Sequence, residues 1–370
     1  MLPDDLETPA AVVDADRMEL LLSRMAAAAA AARVVLRPHA KTHKCPHIAR
    51  RQLAHGAAGL TVATLAEAEA FAADGCPSVF IAYPLWAAAG NRPERIRALA
   101  ARTDLRIGVD SAAAAAALAA AAAGTQVLIE VDSGQHRSGV PPREAAPLAV
   151  ACRRLGLDVL GAFTHPGHAY GTADTVRDAA TEADATAALR AAAAAAAADE
   201  RAALAAAGAA LAGVLDAPPE LSGGSTPTAA DGLAGPLTEA RPGTYVFGDR
   251  QQSYLSGLEV GDVALVVAAR VVSVPRPGQA VLDAGSKALS SDRAGWLTGH
   301  GLILEAPEAT IVSLSEEHAV VRGVTESRLA VGDLVRVVPN HVCSVINLTS
   351  EIVVVRDGAV TDAWPVVARR

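Results

Sequence analysis

Lysine is the scarcest basic residue in this sequence. Of the 32 basic residues only three are lysines, namely Lys41, Lys44 and Lys287. A chain that uses arginine almost everywhere is expected to keep lysine where arginine cannot serve. Arginine stays protonated, whereas a lysine amine can lose its proton and attack a carbonyl to form an imine. Two of the three lysines lie in the segment 39–45, HAKTHKC, which is the first candidate for chemistry. The alternative is a solvated basic turn.

Other shortages limit the class of protein. Aromatic residues make up only 3% of the chain, so Ala, Val and Leu supply most of the 51% hydrophobic content. The four cysteines are widely spaced, which favours a reduced compartment over a disulfide framework. The longest apolar runs, near 112–124 and 202–215, are too short and too rich in alanine to cross a bilayer. The acidic first ten residues predict no signal peptide. These features together indicate a cytoplasmic protein.

The net charge of −8 argues against a nucleic-acid groove or an anionic membrane surface as the main partner. A chain of 370 residues is long enough for one large barrel and a smaller second domain. The pattern of residues 10–245 fits that size, because short apolar or β-branched runs alternate there with alanine-rich helical runs. This alternation predicts a (β/α)8 barrel of the TIM type, with a doubly wound sheet as the alternative. The predicted strands are 11–13, 34–37, 59–62, 78–82, 106–109, 126–131, 159–164 and 220–222.

The pattern changes near Gly243. From there the chain has short valine-rich runs separated by Gly, Pro and Asp, which is typical of an all-β domain. We therefore predict a barrel over 10–245 and a β-rich domain over 246–370, with residues 1–9 packed on the latter. The predicted strands of this domain are 263–274, 279–283, 309–314, 319–322, 334–338 and 350–356.

Four polar segments follow predicted barrel strands, at the barrel face where active sites lie. They are 34–41, 130–139, 164–170 and 221–228. In the last segment, Gly223 and Gly224 permit backbone conformations in which successive N–H groups point at one anion. Ser225 and Thr226 add hydroxyl donors. This predicted phosphate cradle lacks a P-loop lysine. A cradle facing a nucleophilic lysine across a barrel mouth indicates pyridoxal phosphate.

On these residues the sequence resembles the fold-type III pyridoxal-phosphate enzymes, which have the alanine racemase architecture. Within them it is most similar to the D-serine dehydratase and D-threonine aldolase group. The resemblance covers essentially the whole chain, and its first and last motifs are the most specific. The motifs are 37–44, 131–137, 164–170, 222–228, 241–245, 283–287 and 339–343.

The resemblance implies a role for each candidate residue. Lys41 would form the imine with the cofactor and act as the base at Cα, with Lys44 and Lys287 as supporting charges. Arg137 would bond the phenolic oxygen and His165 would pack against the pyridine ring. The phosphate would be held by Tyr170 and by the amides of Gly224 and Ser225. Family members are usually homodimers.

The pair His341 and Cys343 is the other informative feature. Side chains at i and i+2 of a strand point to the same face, so both can reach one metal ion if this segment is a strand. Imidazole and thiolate are good zinc ligands, and two protein ligands leave positions open for water or substrate. The alternatives are a buried cysteine and a core histidine. In the resembling group a divalent metal at this motif coordinates the substrate's β-hydroxyl. Zinc is the first choice here, with manganese or cobalt as alternatives.

The resulting hypothesis is a metal-assisted pyridoxal-phosphate lyase acting on a β-hydroxy D-amino acid. In the resembling group the dehydratases have His-x-Cys at this position and the aldolases His-x-Asp. Cys343 therefore favours dehydration to a 2-oxo acid and ammonia over retro-aldol cleavage to glycine and an aldehyde. Three alternatives stay open: an amino-acid racemase, a non-catalytic pyridoxal-phosphate carrier, and a metal-dependent barrel hydrolase using His39, His43 and His47.

Overall fold

The structure is a computed structural model that describes residues 2–231, 233–324 and 329–369. Its strands are β1 (Ala10–Asp14), β2 (Val35–Leu36), β3 (Leu60–Val62), β4 (Ser78–Ile81), β5 (Asp104–Val109), β6 (Gln126–Glu130), β7 (Asp158–Phe163), β8 (Glu220–Gly223), β9 (Glu239–Ala240), β10 (Leu265–Arg276), β11 (Gln279–Leu282), β12 (Leu302–Ile303), β13 (Thr310–Leu314), β14 (Ala319–Arg322), β15 (Leu334–Val338), β16 (Glu351–Arg356) and β17 (Ala359–Pro365).

The helices alternate with the strands in the first two thirds of the chain. They are α1 (Ala15–Ala32), α2 (Pro46–Ala54), α3 (Leu65–Ala73), α4 (Arg92–Ala100), α5 (Ala112–Ala121), α6 (Ala145–Arg154), α7 (Glu182–Leu211), α8 (Thr226–Ala230), α9 (Arg250–Leu255), α10 (Ser286–Leu289) and α11 (Val342–Leu348). Short 3₁₀ turns at Ala40–Thr42, Gly167–Tyr170 and Thr244–Val246 border the site described below. Among the described residues, no helix is long and apolar enough to span a membrane.

Eight parallel strands form the predicted barrel. They run in the order β2-β9-β8-β7-β6-β5-β4-β3, and a parallel bridge between His39 and Thr61 joins the two ends of the sheet. The barrel strands are buried on both faces, as expected when helices surround a parallel sheet. The barrel is confirmed, and the doubly wound alternative is wrong because the sheet closes on itself.

Two strands of the barrel region differ from the expectation. The predicted first barrel strand, 11–13, is β1, which pairs with β10 and β16 of the second sheet. The eighth barrel strand is instead β9, which closes the sheet between β8 and β2. β9 has only two residues, Glu239 and Ala240, and no apolar run marks it. The second sheet therefore includes a strand from inside the expected barrel limits of 10–245.

The alanine-rich runs are helices, as predicted from the high helix propensity of alanine. The longest, α7, begins at Thr181, whose side chain and that of Asp184 cap each other's backbone N–H groups. Its buried face carries mostly alanine, with leucine at Leu189, Leu204 and Leu211. Small side chains on this face let the helix approach the barrel strands closely. A Cβ at Gly208, for example, would lie 3.0 Å from Leu221.

The second domain is rich in β-strands, as predicted, and its strand pairing is mostly antiparallel. Its main path is β13-β14-β11-β10-β1-β16-β17, and β15 pairs with β10 and β12. β12 and β17 were not predicted, since one has two residues and the other carries polar, exposed positions. The long strand β10 lies at the centre of this sheet and pairs with β1, β11 and β15.

Candidate active site

The carboxyl ends of the barrel strands surround two adjoining cavities. The first, of about 300 Å³, reaches His341 and Cys343 of the second domain. The second, of about 310 Å³, lies toward Tyr83 and Arg137. Four side chains line both cavities, which makes the two one continuous site; they are His39, Lys41, His165 and Arg241.

The three lysines have different surroundings. Lys41 lies in the 3₁₀ turn after β2 and lines both cavities. Lys44 is buried outside them and pairs with Glu67. Lys287 is 59% exposed and pairs with two surface glutamates. Of the three, only Lys41 can meet a molecule in the cavities, as the lysine argument predicted.

His165 and Tyr170 follow β7 and lie together in the first cavity, with ring centroids 6.5 Å apart. Burial, and then the charges of Lys41 and Arg137, hold the pKa of His165 well below its usual value, so its imidazole is neutral. Burial raises the pKa of the Tyr170 phenol, which therefore stays protonated as a hydrogen-bond donor. Arg137 lines the second cavity, on the other side of Lys41.

The glycine segment lies at the first cavity, but its amides differ from the expectation. The Gly224 N–H donates to the buried Glu200 carboxylate at 2.6 Å, and the Ser225 N–H donates to the Thr228 hydroxyl at 2.9 Å. Gly223 lies within β8, and a Cβ there would be 2.6 Å from Glu200. The two expected amide donors thus have partners inside the protein. Gly224, Ser225 and Thr226 line the cavity, whereas Gly223 does not.

Arg241 is a site residue to which the sequence argument assigned no role. Its guanidinium is buried, donates to the Ser222 hydroxyl and the Thr164 carbonyl at 2.6 Å each, and lies over the Phe163 ring. Its Nε has no partner among the described residues. Since an arginine stays charged even when buried, Arg241 places a fixed cation between the two cavities. Its signal in the sequence is the motif at 241–245.

The expectation that His341 and Cys343 share a strand face is wrong. His341 is the N-cap of α11, and Cys343 lies in the first turn of that helix. The two side chains nevertheless converge on the first cavity. Burial alone would raise the pKa of Cys343, but His341 and Lys41 lower it, while Cys343 and Asp249 raise that of His341 against its burial. Deprotonation of the Cys343 thiol is thereby easier than that of an ordinary cysteine.

Asp249 supports this pair and was missed from the sequence. It is fully buried, and its carboxylate accepts from the Val342 and Gln252 amides, so it caps both α11 and α9. The same carboxylate lies 3.5 Å from His341 Nδ1. Carboxylates in this position commonly orient a metal-binding histidine through its other ring nitrogen. Asp249 follows a glycine and begins a short helix, which gives no separate signal in the sequence.

The histidine triad of the hydrolase alternative does not converge. His43 bonds Gln52 and the Cys45 amide in the core, and His47 stacks on Trp364. Of these three histidines, His39 alone lines the cavities. Within the described part of the chain, no three His, Cys, Asp or Glu side chains form a group that could hold a metal. Metal binding at His341 and Cys343 would therefore rely on two protein ligands.

Comparison with known proteins agrees with this geometry. Residues 13–251 match the family model "Alanine racemase, N-terminal domain", and residues 264–355 match "Putative serine dehydratase domain". The chain belongs to the fold-type III pyridoxal-phosphate enzymes. Within that family it groups with the dehydratases and aldolases named below, which confirms the resemblance stated from the motifs.

Two curated relatives of this family cover nearly the whole chain. D-threo-3-hydroxyaspartate dehydratase of Delftia sp. is 36% identical over 92% of this chain and 91% of its own. D-threonine aldolase of Arthrobacter sp. is 34% identical over 98% and 93%.

The similar solved structures are also a dehydratase and an aldolase. The Delftia dehydratase superimposes with a TM-score of 0.86 at 32% identity, covering 98% of both chains. D-threonine aldolase from Filomicrobium marinum gives a TM-score of 0.85 at 31% identity, covering 98% of this chain and 95% of its own. A cysteine-to-alanine mutant of the dehydratase is described as being in the metal-free form, at a TM-score of 0.86 and 31% identity.

Proposed function

We propose that this protein is a pyridoxal-phosphate- and metal-dependent lyase that acts on β-hydroxy D-amino acids. One observation carries the proposal. Lys41 alone of the three lysines lines the cavities, and the first cavity also holds the His341 and Cys343 pair. Both full-length relatives act on β-hydroxy D-amino acids according to their names.

The cavity residues fit pyridoxal phosphate. Buried polar atoms that line the cavities have no partner among the described residues, including His39 Nδ1, Arg241 Nε and Glu130 Oε2. Such atoms are costly unless a bound molecule or water satisfies them. When bound, the cofactor supplies an electron sink for negative charge at the substrate Cα.

Each cavity residue has a defined task in this proposal. Lys41 would hold the cofactor's aldehyde and, once the substrate amine has displaced it, would remove the Cα proton. Arg137, which lines the second cavity, would bond the phenolic oxygen, and the neutral His165 ring would pack against the pyridine. Because the Gly224 and Ser225 amides already donate to Glu200 and Thr228, the phosphate would be held by hydroxyl donors. These are Ser225, Thr226 and Tyr170.

The metal would be bound by the His341 imidazole and the Cys343 thiolate. These ligands bind zinc in preference to the harder ions magnesium and calcium. Manganese and cobalt are the alternatives. A divalent ion there supplies Lewis-acid assistance to the substrate's β-hydroxyl. The lowered pKa of Cys343 supports this, because a ligand thiol must lose its proton.

Between the two reactions of the relatives we propose dehydration, because the second ligand is a cysteine. The Lys41 amine would take the Cα proton and return it to the β-hydroxyl, which would leave Cβ as water. Hydrolysis of the resulting enamine would give a 2-oxo acid and ammonia. Retro-aldol cleavage is the second candidate. In that reaction a base would remove the β-hydroxyl proton, the Cα–Cβ bond would break to release an aldehyde, and Cα would take up a proton to give glycine.

The test is to supply D-threonine and identify the products. We expect 2-oxobutanoate and ammonia by chromatography and a coupled assay. Glycine and acetaldehyde would instead establish the aldolase. L-Threonine should give neither, because Lys41 reaches one face of the substrate. D-Serine and D-3-hydroxyaspartate, tested in parallel, rank the side chains that the cavity accepts.

We further propose that the protein is a cytoplasmic homodimer. The support is the family resemblance for the dimer and the four reduced, widely spaced cysteines for the compartment. Light scattering coupled to gel filtration measures the mass against 37.5 kDa for one chain. A mass near 75 kDa is expected, and a monomer would contradict the dimer.

A further inference from the structure

Lys44 is the second lysine of the chain and lies outside both cavities. Its ammonium is buried and contacts three separate parts of the molecule. Nζ lies 3.2 Å from Glu67 Oε1 in α3, donates to Asn347 Oδ1 in α11 at 2.8 Å, and donates to the Ala368 carbonyl at 3.1 Å. The Lys44 carbonyl accepts from the Val367 amide at 2.7 Å. This one residue therefore joins the barrel to α11 and to the C-terminal segment.

This set of contacts explains why the position holds lysine in a chain rich in arginine. An ammonium has three N–H donors arranged around one atom, and here three acceptors surround it. A guanidinium presents its five donors in a flat fork and cannot place them on three acceptors around a single point. The Lys44 backbone is also left-handed, with φ of 45°, which non-glycine residues seldom adopt unless their surroundings require it.

The contact to Asn347 concerns the site directly, because Asn347 and Cys343 are four residues apart on α11. Residues at i and i+4 lie on the same helix face. Cys343 Sγ donates to the Thr42 hydroxyl at 3.3 Å, and Thr42 follows Lys41. The segment 41–44 thus touches α11 at two successive turns, through Thr42 at Cys343 and through Lys44 at Asn347.

We propose that Lys44 is a positioning residue: it holds α11 against the segment 41–44 and so sets where His341 and Cys343 stand relative to Lys41. The inference rests on the proposed function in one respect, namely that His341 and Cys343 bind a divalent ion. It assigns Lys44 no contact with substrate or cofactor. Its effect on the metal site passes through the helix.

The test compares Lys44→Arg with Lys287→Arg, the same substitution at an exposed lysine on the surface. For each purified protein the dissociation constant for Zn²⁺ is measured by competition with a chromogenic chelator, and the visible cofactor band is recorded. We expect Lys44→Arg to weaken zinc binding about 10- to 100-fold, the range seen when outer partners of metal ligands are changed. The cofactor band should stay, and activity should recover at saturating zinc.

A zinc dissociation constant of Lys44→Arg within twofold of the wild-type value would overturn the inference. If that variant also loses the cofactor band, Asn347→Leu decides, because it removes one acceptor and leaves the Lys44–Glu67 pair in place. The expected result is then weaker zinc binding with the band retained, and unchanged binding refutes the positioning role. Absence of zinc binding in the wild type would refute the proposed function instead.

Discussion

Single residues carry most of what could be inferred about the chemistry. The scarcity of lysine pointed to the segment 39–45, and Lys41 is indeed the lysine that lines the cavities. Lys44 is explained by three acceptors around its ammonium, and Lys287 by two surface carboxylates. The roles of Arg241 and Asp249 depend on contacts with residues distant in the sequence, so no local pattern could assign them.

The first prediction concerns Lys41. Lys41→Ala removes the only lysine amine at the cavities, so the visible band of the bound cofactor should vanish. Lyase activity should fall at least about 1,000-fold, since both the covalent attachment and the base are lost. Absorbance after borohydride treatment and a product assay measure the two effects. Lys287→Ala is the control and should change neither. Trapping of the cofactor on Lys44 or Lys287 would contradict the assignment.

The second prediction concerns acid stability and His43. Burial lowers the pKa of His43 to about 4 from its usual 6.5. Between these values the unfolded chain binds a proton at His43 that the folded chain does not, so stability falls as the pH drops from 6.5 to 4. The contribution of this residue over the window is about 3 kcal/mol.

The measurement is the free energy of urea unfolding at pH 6.5 and pH 4. His43→Asn keeps an acceptor for the Cys45 amide but cannot take up a proton. The loss of stability between the two pH values should be smaller in the variant than in the wild type by about 3 kcal/mol. Other buried groups titrate in both proteins and cancel in this difference. An equal loss in both would show that His43 does not contribute.

At the scale of elements, periodicity located the long alanine-rich helices and most strands, because their apolar or alanine-rich runs are long, but it missed α2 and the short helices α8 to α11. It failed for β9 and β12, whose two residues each leave no pattern. It also placed β1 in the wrong sheet, since three apolar residues do not reveal their partners. The strand expected at 341–343 is a helix start, because Asp249 accepts from the Val342 amide and caps α11. The start of α11 is therefore stabilised by a residue distant in the sequence, which local periodicity does not show.

The third prediction concerns the turn between β8 and α8. Gly224 has φ of 75°, and a Cβ there would lie 3.3 Å from the Ala240 side chain. Gly224→Val forces a β-branched residue into a left-handed conformation, which costs about 1–2 kcal/mol. The turn would then shift away from the cavity, so we expect cofactor affinity to fall about tenfold or more in a folded protein.

A matched control is Gly261→Val, because nothing lies within 4 Å of a Cβ at Gly261 and its φ is not left-handed. The cofactor dissociation constant is measured by titration of the apoprotein, together with the melting temperature. Normal affinity in Gly224→Val would move the phosphate end of the cofactor to another part of the cavity.

At the scale of the whole molecule, the site depends on how the two sheets meet. The barrel contributes Lys41, Arg137 and His165, and the second domain contributes His341 and Cys343 through α11. Lys44 and Asp249 hold α11 from opposite ends, one from the barrel and one from the segment that leads out of it. The barrel residues would bind the cofactor and the α11 pair would bind the metal. Experiments can therefore test the two groups of residues independently.

The last prediction uses this separation. Treatment with a strong chelator should abolish lyase activity while the visible cofactor band stays, because the metal pair acts on the substrate's β-hydroxyl and the cofactor depends on barrel residues. Adding back zinc should restore activity. In Cys343→Ala the band should likewise stay, but zinc should bind at least about tenfold more weakly, because half of the protein ligand set is gone. Cys152→Ala is the control, since that thiol is buried in the barrel wall. Metal analysis that finds no ion in the active enzyme would rule out the metal-assisted reaction, and loss of the band with the metal would place the ion at the cofactor instead.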